Sequence, residues 1–365
     1  MKASDSLTWA EVNLSFLRHN FSQIKRVVEP AKVMAVVKAD AYGHGAGAVS
    51  QALVSAGADM LGVVSVSEGI QLRDEGIKIP ILILGSFIEK EAKEFVAYHL
   101  TPTIFTKEHL SFFSSLSAEI GVHIKVDTGM GRLGVMVDKA EEFILEVSRA
   151  KNIRIEGIFS HFASAYLEDK GYAKEQFLRF SSLCSSLKKK GIDLSLRHIA
   201  NSAAILDLPE TYLDMTRPGL LLYGLWPGDD VRRAIEIKPV LAFKTRIVAI
   251  KNLPVGWHIS YGTTTATKEM RVAVLPVGYS HGYPRLLSNK GYVSIKGKRA
   301  DIVGVVCMDM LMVDVSSIPD ASISDEVILF GEGISINEIA SLAETINYEI
   351  TTRISPRVER VYVDN

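Results

Sequence analysis

Between residues 33 and 217 short apolar runs alternate with helical segments, and this alternation constrains the fold more tightly than any other property of the chain. The strand-like runs occupy 33–38, 60–66, 79–85, 100–105, 121–126, 153–161, 196–200 and 213–217; helical segments such as 47–57, 89–98, 139–150 and 174–190 lie between them. In Val33-Met34-Ala35-Val36-Val37 the apolar residues follow one another without a polar break, the pattern of a strand covered on both faces in a parallel sheet. Eight β–α units over roughly 230 residues predict an α/β fold, a (β/α)8 TIM-like barrel, which gathers its functional groups at the carboxyl ends of its strands. A strand-like leader (7–12) and a helix (15–28) come first. Ser15 is the expected N-cap, and Phe16, Leu17, Phe21, Ile24, Val27 and Val28 fall at helical spacing.

A barrel of this kind demands polar residues at its strand ends, and the chain meets the demand. Lys38 ends the first run, Lys125 and Asp127 the fifth, and Ser160 and His161 the sixth; Asn201 and Ser202 follow the seventh, and Arg217 ends the eighth before Pro218-Gly219. A lone strand-end lysine ordinarily snorkels to water, and a lone His161 is ordinarily a hydrogen-bonded core histidine. Packing gives no reason for five strands to finish this way on one rim. An ammonium held where a core opens is partly desolvated, so its pKa falls and the amine becomes able to form a Schiff base. After Lys38, glycines at 43, 45 and 47 allow a tight turn, and Tyr42 offers a hydroxyl to an anion.

After Leu225-Trp226-Pro227-Gly228-Asp229-Asp230 the texture changes. Strand-like stretches at 242–250, 258–261, 272–277, 292–295, 300–307, 311–315 and 326–330 are separated by short turns, with one helix at 336–346. The expected organisation is a barrel over 1–235 followed by a predominantly β C-terminal domain over 236–365, with about the first ten residues able to pack on the β domain. A formal net charge of −1 provides no attraction for nucleic acid or an anionic membrane, which leaves a small-molecule substrate. Two cysteines, Cys184 and Cys307, are too few for a disulfide framework. Together with the lack of a signal-like or membrane-spanning apolar run, this predicts a cytoplasmic protein. No metal site is expected.

Four groupings carry chemistry. A cofactor bearing an aldehyde and a phosphate needs an amine to hold it covalently and hydroxyls or amides for its phosphate. Lys38, Tyr42, Ser202 and the Gly219-Leu220 amides can supply them at the rim where such barrels bind phosphate. Arg217 can only donate hydrogen bonds, so opposite a pyridine nitrogen it would leave that nitrogen unprotonated. Arg132, in Lys125-Val126-Asp127-Thr128-Gly129-Met130-Gly131-Arg132-Leu133-Gly134, has the fork to clamp a carboxylate. In the β domain Tyr261 could move a proton if a cation, for which Arg132 is one candidate, lowered its reference pKa of about 10.

Ala35-Val36-Val37-Lys38-Ala39-Asp40-Ala41-Tyr42-Gly43-His44-Gly45 resembles the pyridoxal phosphate signature of the alanine racemases. The Lys125 to Gly134 block, Arg217-Pro218-Gly219, Ser260-Tyr261-Gly262 and Val306-Cys307-Met308-Asp309 resemble that family's other blocks, in the right order. The resemblance implies a pyridoxal 5′-phosphate enzyme that interconverts L- and D-alanine by a two-base mechanism, providing D-alanine for bacterial peptidoglycan. It implies Lys38 as Schiff-base lysine and base for one face of the substrate, with Tyr261 as base for the other. Arg132 and the Met308 amide would touch the substrate carboxylate, His161 would stack near the cofactor ring, and Arg217 would face the pyridine nitrogen. Tyr42, Ser202, Gly219 and Leu220 would hold the phosphate, with Asn201 beside them. Tyr261 and Met308 come from the partner subunit in the family, which implies a homodimer with composite sites, and relatives often carry a carbamylated lysine at the position of Lys125.

Two departures stand out. Pro356 occupies the place of a phosphate-contacting tyrosine, and His281 that of an aspartate. Alternatives are a racemase for serine or a broader range of amino acids, a decarboxylase of basic amino acids on the same two-domain plan, and a barrel protein that binds the cofactor without turnover. The β domain with Tyr261 argues against the last. The Arg132 loop and the Ser260-Tyr261-Gly262 block favour racemisation over carboxylate loss.

Overall fold

The structure, a computed structural model, describes residues 5–114, 116 and 118–364. These form two units, one of 17–41 and 46–238 and the other of 5–16, 42–45 and 239–364. The chain opens with β1 (Thr8–Asn13) and α1 (Leu14–Val28), then β2 (Lys32–Val36), α2 (Lys38–Gly43), α3 (Ala46–Ser55), β3 (Met60–Val63), α4 (Val66–Asp74), β4 (Ile81–Ile83), α5 (Ala92–Ala97) and β5 (Thr103–Ile104). It continues through α6 (Lys107–Ser114), β6 (Ile120–Asp127), β7 (Val135–Met136), α7 (Val137–Val147), β8 (Ile153–Phe159), α8 (Gly171–Lys189), β9 (Leu196–His198), α9 (Ser202–Asp207) and β10 (Met215–Thr216).

Parallel pairing joins β10-β2-β3-β4 and, separately, β5-β6-β8-β9. Single parallel bridges, Leu82 to Thr101 and Asn201 to Arg217, join the two sets into a closed ring, so each predicted run contributes one barrel strand. Met34, Met60, Leu82, Phe159 and Met215, one from each of β2, β3, β4, β8 and β10, meet as a buried cluster. Burying such side chains stabilises by roughly 1.5–3 kcal/mol each. On α1, Leu17, Phe21, Ile24 and Val28 are buried at the expected spacing, and Asn20 among them donates to the carbonyls of Leu222 and Lys238. The cap of α1 is Asn13, whose Oδ1 accepts from the Phe16 N–H at 3.0 Å and from the Ser15 hydroxyl at 2.8 Å; Ser15 is therefore the supporting donor and not the cap.

The second unit continues with β11 (Leu241–Arg246), β12 (Ala249–Leu253), β13 (Met270–Leu275), β14 (Tyr292–Ile295), β15 (Lys298–Asp301), β16 (Leu311–Asp314), β17 (Glu326–Phe330), α10 (Ile336–Leu342), α11 (Asn347–Thr352) and β18 (Glu359–Val363). Its sheets run β15-β14-β17-β11-β1-β18 and β12-β13-β16. β1 lies in this unit, antiparallel to β11 and parallel to β18. The stretch read as one strand over 242–250 is two, because β11 and β12 enter different sheets. The expected strand at 258–261 is a loop, since Ser260 takes φ +64° and its hydroxyl is drawn to the Val305 carbonyl at 2.7 Å.

Candidate active site

β2 ends just before Lys38, and the chain then does something uncommon for L residues. Ala39, Asp40, Ala41 and Tyr42 take φ between +52° and +56°, with Gly43 at +84°, so α2 is a left-handed turn. Left-handed helix costs roughly 1–2 kcal/mol per non-glycine residue, and strain of this kind collects at functional sites. Hydrogen bonds to near and distant residues offset it. The Ala41 N–H donates to the Val37 carbonyl at 2.9 Å, the Ala39 N–H to Glu68 Oε1 at 2.6 Å, and the Ala46 N–H to Asp40 Oδ1 at 2.7 Å. In the second unit Arg360 Nε donates to the Gly43 carbonyl at 3.2 Å, and a side chain at Gly43 would collide with the Thr351 carbonyl. Burial lowers the pKa of the Lys38 amine and Arg132 lowers it further, against the opposing pull of Glu68.

At the end of β6, the Asp127 carboxylate accepts N–H bonds from Gly129 and Met130, both at 2.8 Å, and from Arg132 at 3.1 Å. Burial works against its charge, but these donors outweigh it and hold its pKa below the usual carboxylate range. The carboxylate therefore shapes the loop that presents Arg132. Lys125, buried on the same strand with its Nζ 5.3 Å from the centre of the Phe159 ring, is pushed down to about 7 by burial and by Arg132, Arg217 and Lys38.

Arg217 is buried at the end of β10. Its Nη1 donates to His198 Nδ1 at 2.7 Å, and its Nη2 to the carbonyls of Ser160 at 2.6 Å and Ile199 at 3.2 Å and to His161 Nδ1 at 3.2 Å. Burial and then Arg132 bring it to about 9, so it stays charged at neutral pH. Because arginine only donates, His198 must carry its proton on Nε2, which donates to His123 Nδ1 at 2.8 Å. Burial and Arg217 depress both histidines, His123 to about 3, so both are neutral; burial, then Arg217, also depresses His161.

Lys38, Lys125, Arg132 and Arg217 thus form a cationic cluster in which Asp127 is the acid on the same loop, with its oxygens already engaged. Such a rim suits a multiply anionic ligand. Next to it, the Ser202 Oγ accepts from the Gly219 N–H at 2.9 Å and the Leu221 N–H at 3.4 Å, which leaves the hydroxyl proton for an outside acceptor. Leu220 starts the short helical turn after Gly219. Asn201 caps α9 through the Ala204 N–H at 3.1 Å, the ordinary structural role for such a residue. The lysine, the donor-only arginine, the hydroxyl and the cationic surplus fit a phosphorylated pyridine aldehyde.

The structure groups the remaining predicted residues in the second unit. Tyr42 is buried there, 6.1 Å from Tyr348 between ring centres, and burial raises its pKa. Tyr261 and Met308, 73% and 55% exposed, line a cavity of about 540 Å3 with Trp257, Ser260, Cys307 and Met310. His281 Nδ1 accepts from the Gly278 N–H at 3.3 Å, Ser280 Oγ donates to Asp309 at 2.5 Å, and Arg357, next to Pro356, lies 3.6 Å from Asp309. Burial and then Arg357 lower the His281 pKa, against the opposing pull of Asp309, in a ring that lies beside the Asp309–Arg357 pair.

Residues 12–227 match the family of the alanine racemase N-terminal domain, and residues 240–362 that of the C-terminal domain. The chain belongs to the alanine racemase family. It is 47% identical to an alanine racemase of Halothermothrix orenii, over 97% of this chain and 96% of that one, and 44% identical to one of Desulfovibrio desulfuricans over the whole of both. The solved alanine racemase of Clostridium difficile 630 superposes with a TM-score of 0.96 at 39% identity, covering 100% of this chain and 97% of that one. That of Bacillus anthracis with bound L-Ala-P gives 0.94 at 33%, covering 100% and 96%. His123, His198, Thr128 and Gln176, none of them singled out by the sequence pattern, hydrogen-bond behind the rim residues. Both histidines lie inside predicted strands, where a histidine looks like core, so no sequence signal marks them.

Proposed function

We propose that this member of the alanine racemase family interconverts L- and D-alanine with pyridoxal 5′-phosphate, as a homodimer, through Lys38 and Tyr261. The observation that carries the reading is the pairing of a desolvated Lys38 amine with a buried, donor-only Arg217 on one cationic barrel rim. Lys38 would hold the cofactor, with Ser202 and the amides of Gly219 and Leu220, and Tyr42, serving its phosphate, and Asn201 and His161 beside it. When bound, the cofactor supplies a conjugated system that delocalises the electron pair left by the departing α-proton. Facing the ring nitrogen, the donor-only Arg217 would leave it unprotonated, which would moderate that delocalisation and disfavour transamination. Lys38 Nζ exchanges the proton on one face of the α-carbon and the Tyr261 hydroxyl on the other, so inversion needs no turnover of the substrate. Arg132 and the Met308 amide orient the carboxylate.

The exposure of Tyr261 and Met308 around an open cavity favours a composite site, in which this surface serves the barrel of a second copy. A carbamate on Lys125 would add an anion next to Arg132, and an amine with a pKa of about 7 has the neutral fraction needed to take up carbon dioxide. We place the enzyme in the cytoplasm as a source of D-alanine for peptidoglycan; the unpaired Cys184 and Cys307 agree with a reducing compartment. The test is a panel of L-amino acids followed by chiral chromatography, with released carbon dioxide measured alongside. Alanine is expected to racemise fastest, with serine slower because an apolar pocket rejects one hydroxyl weakly. Carbon dioxide release without D-product would overturn the reading.

A further inference from the structure

On α8, Tyr172, Gln176 and Arg179 stand at positions i, i+4 and i+7, which places them on one face of the helix. All three reach strand-end loops of the barrel rim. The Tyr172 hydroxyl donates to the Gly129 carbonyl at 2.6 Å, and Arg179 Nη1 to the Thr128 carbonyl at 2.9 Å. Gln176, fully buried, donates to the His161 carbonyl at 3.1 Å and to Thr128 Oγ1 at 3.4 Å, and accepts from the Ala163 N–H at 2.9 Å. Thr128 Oγ1 meets Ser160 Oγ at 2.7 Å. The approach is close enough that a Cβ on Gly129, at φ +131°, would lie 2.4 Å from the Tyr172 oxygen and 3.0 Å from Arg179 Nη1.

Asp127 folds the Arg132 loop on itself, but a self-contained turn can still rock as a body. The α8 face removes that freedom by fixing the carbonyls of Thr128 and Gly129 and by tying the same loop through Gln176 to the backbone that carries His161. We propose that Tyr172, Gln176 and Arg179 are positioning residues that hold Arg132 for the substrate carboxylate, an inference that rests on the carboxylate role given to Arg132 above. A guanidinium displaced by a fraction of an ångström weakens binding of the group it orients before it affects the proton transfer.

The test uses the cofactor-loaded enzyme and two mild variants, Tyr172→Phe and Arg179→Met, because Gln176→Leu strands the half-buried Ala163 N–H and could unfold the site. Each variant is expected to raise KM for L-alanine about tenfold, with kcat changed by less than about threefold. Arg179→Met added to Arg132→Ala is expected to raise KM no further than Arg132→Ala alone, since both act through one group. Independently of activity, amide hydrogen exchange over residues 129–132 is expected to quicken in both variants while the melting temperature of the whole enzyme holds. Unchanged exchange in that loop overturns the positioning role, as does an additive double variant. Faster exchange combined with an Arg132→Ala enzyme of normal KM upholds the clamp and removes the carboxylate role of Arg132 instead.

Discussion

Replacing Lys125 with methionine removes a buried amine and keeps the length of its side chain. In the native protein that amine titrates near 7, against 10.5 for an exposed lysine. The native pKa lies below the unfolded one, so the unfolded chain binds the extra proton between the two values and stability rises with pH across that window. Below pH 7 the whole penalty is present. At about 1.36 kcal/mol per unit, the displacement from 10.5 to about 7 amounts to roughly 5 kcal/mol at pH 6. By the same linkage about 1.5 kcal/mol of it remains at pH 9.5. In cofactor-free protein, in buffers stripped of carbon dioxide, Lys125→Met is therefore expected to be more stable than the parent at pH 6. Its advantage in melting temperature should be on the order of 10 °C, shrinking to a few degrees at pH 9.5. Thermal unfolding of both proteins across that range is the assay. An advantage that does not depend on pH, or one that grows with pH, would refute the claim that burial and the neighbouring cations hold down the pKa of this amine.

Other consequences can be read from the same geometry. Arg217→Glu places an acceptor where the donor-only guanidinium stood, so pyruvate released per racemisation event is expected to rise, as followed by a coupled pyruvate assay; an unchanged ratio would contradict the role given to Arg217. Ala39→Gly relieves left-handed strain of about 1–2 kcal/mol and loses about 0.4–1 kcal/mol through a freer unfolded chain. The net is a small stabilisation, measurable as a rise of a few degrees in melting temperature. If Lys125 is carbamylated, intact mass under native conditions will exceed the sequence mass by one carbon dioxide, lost on acidification; Lys125→Met will not show it.

The barrel was legible because its strands are covered on both faces and so read as unbroken apolar runs, and because a rim of polar strand ends has no packing explanation. Element ends were less legible. The 242–250 run is uniformly strand-like, yet the chain changes sheet near Ile247 for reasons of tertiary pairing that no local pattern records. The left-handed turn at 39–42 was invisible for a sharper reason. Ala39, Asp40, Ala41 and Tyr42 are ordinary right-handed residues by propensity, and what holds them otherwise includes Glu68, twenty-nine residues away from Ala39. Lys38, Lys125 and Arg217 could be singled out as charges at strand ends. The His123–His198–Arg217 chain could not, since histidines inside strands look like core and their meaning depends on which nitrogen faces which donor. The clamp on the Arg132 loop was equally hidden, because Tyr172, Gln176 and Arg179 look in sequence like the polar face of a surface helix.

The central claim is that one barrel's Lys38 works with Tyr261 from the second copy. Lys38→Ala and Tyr261→Phe are each expected to be inactive as homodimers. Mixed in equal amounts, dissociated and reassociated, they form heterodimers in about half of the population, each with one intact site, so about a quarter of parental racemase activity should return. No recovery of activity despite heterodimers demonstrated by native mass spectrometry would contradict the composite two-base site.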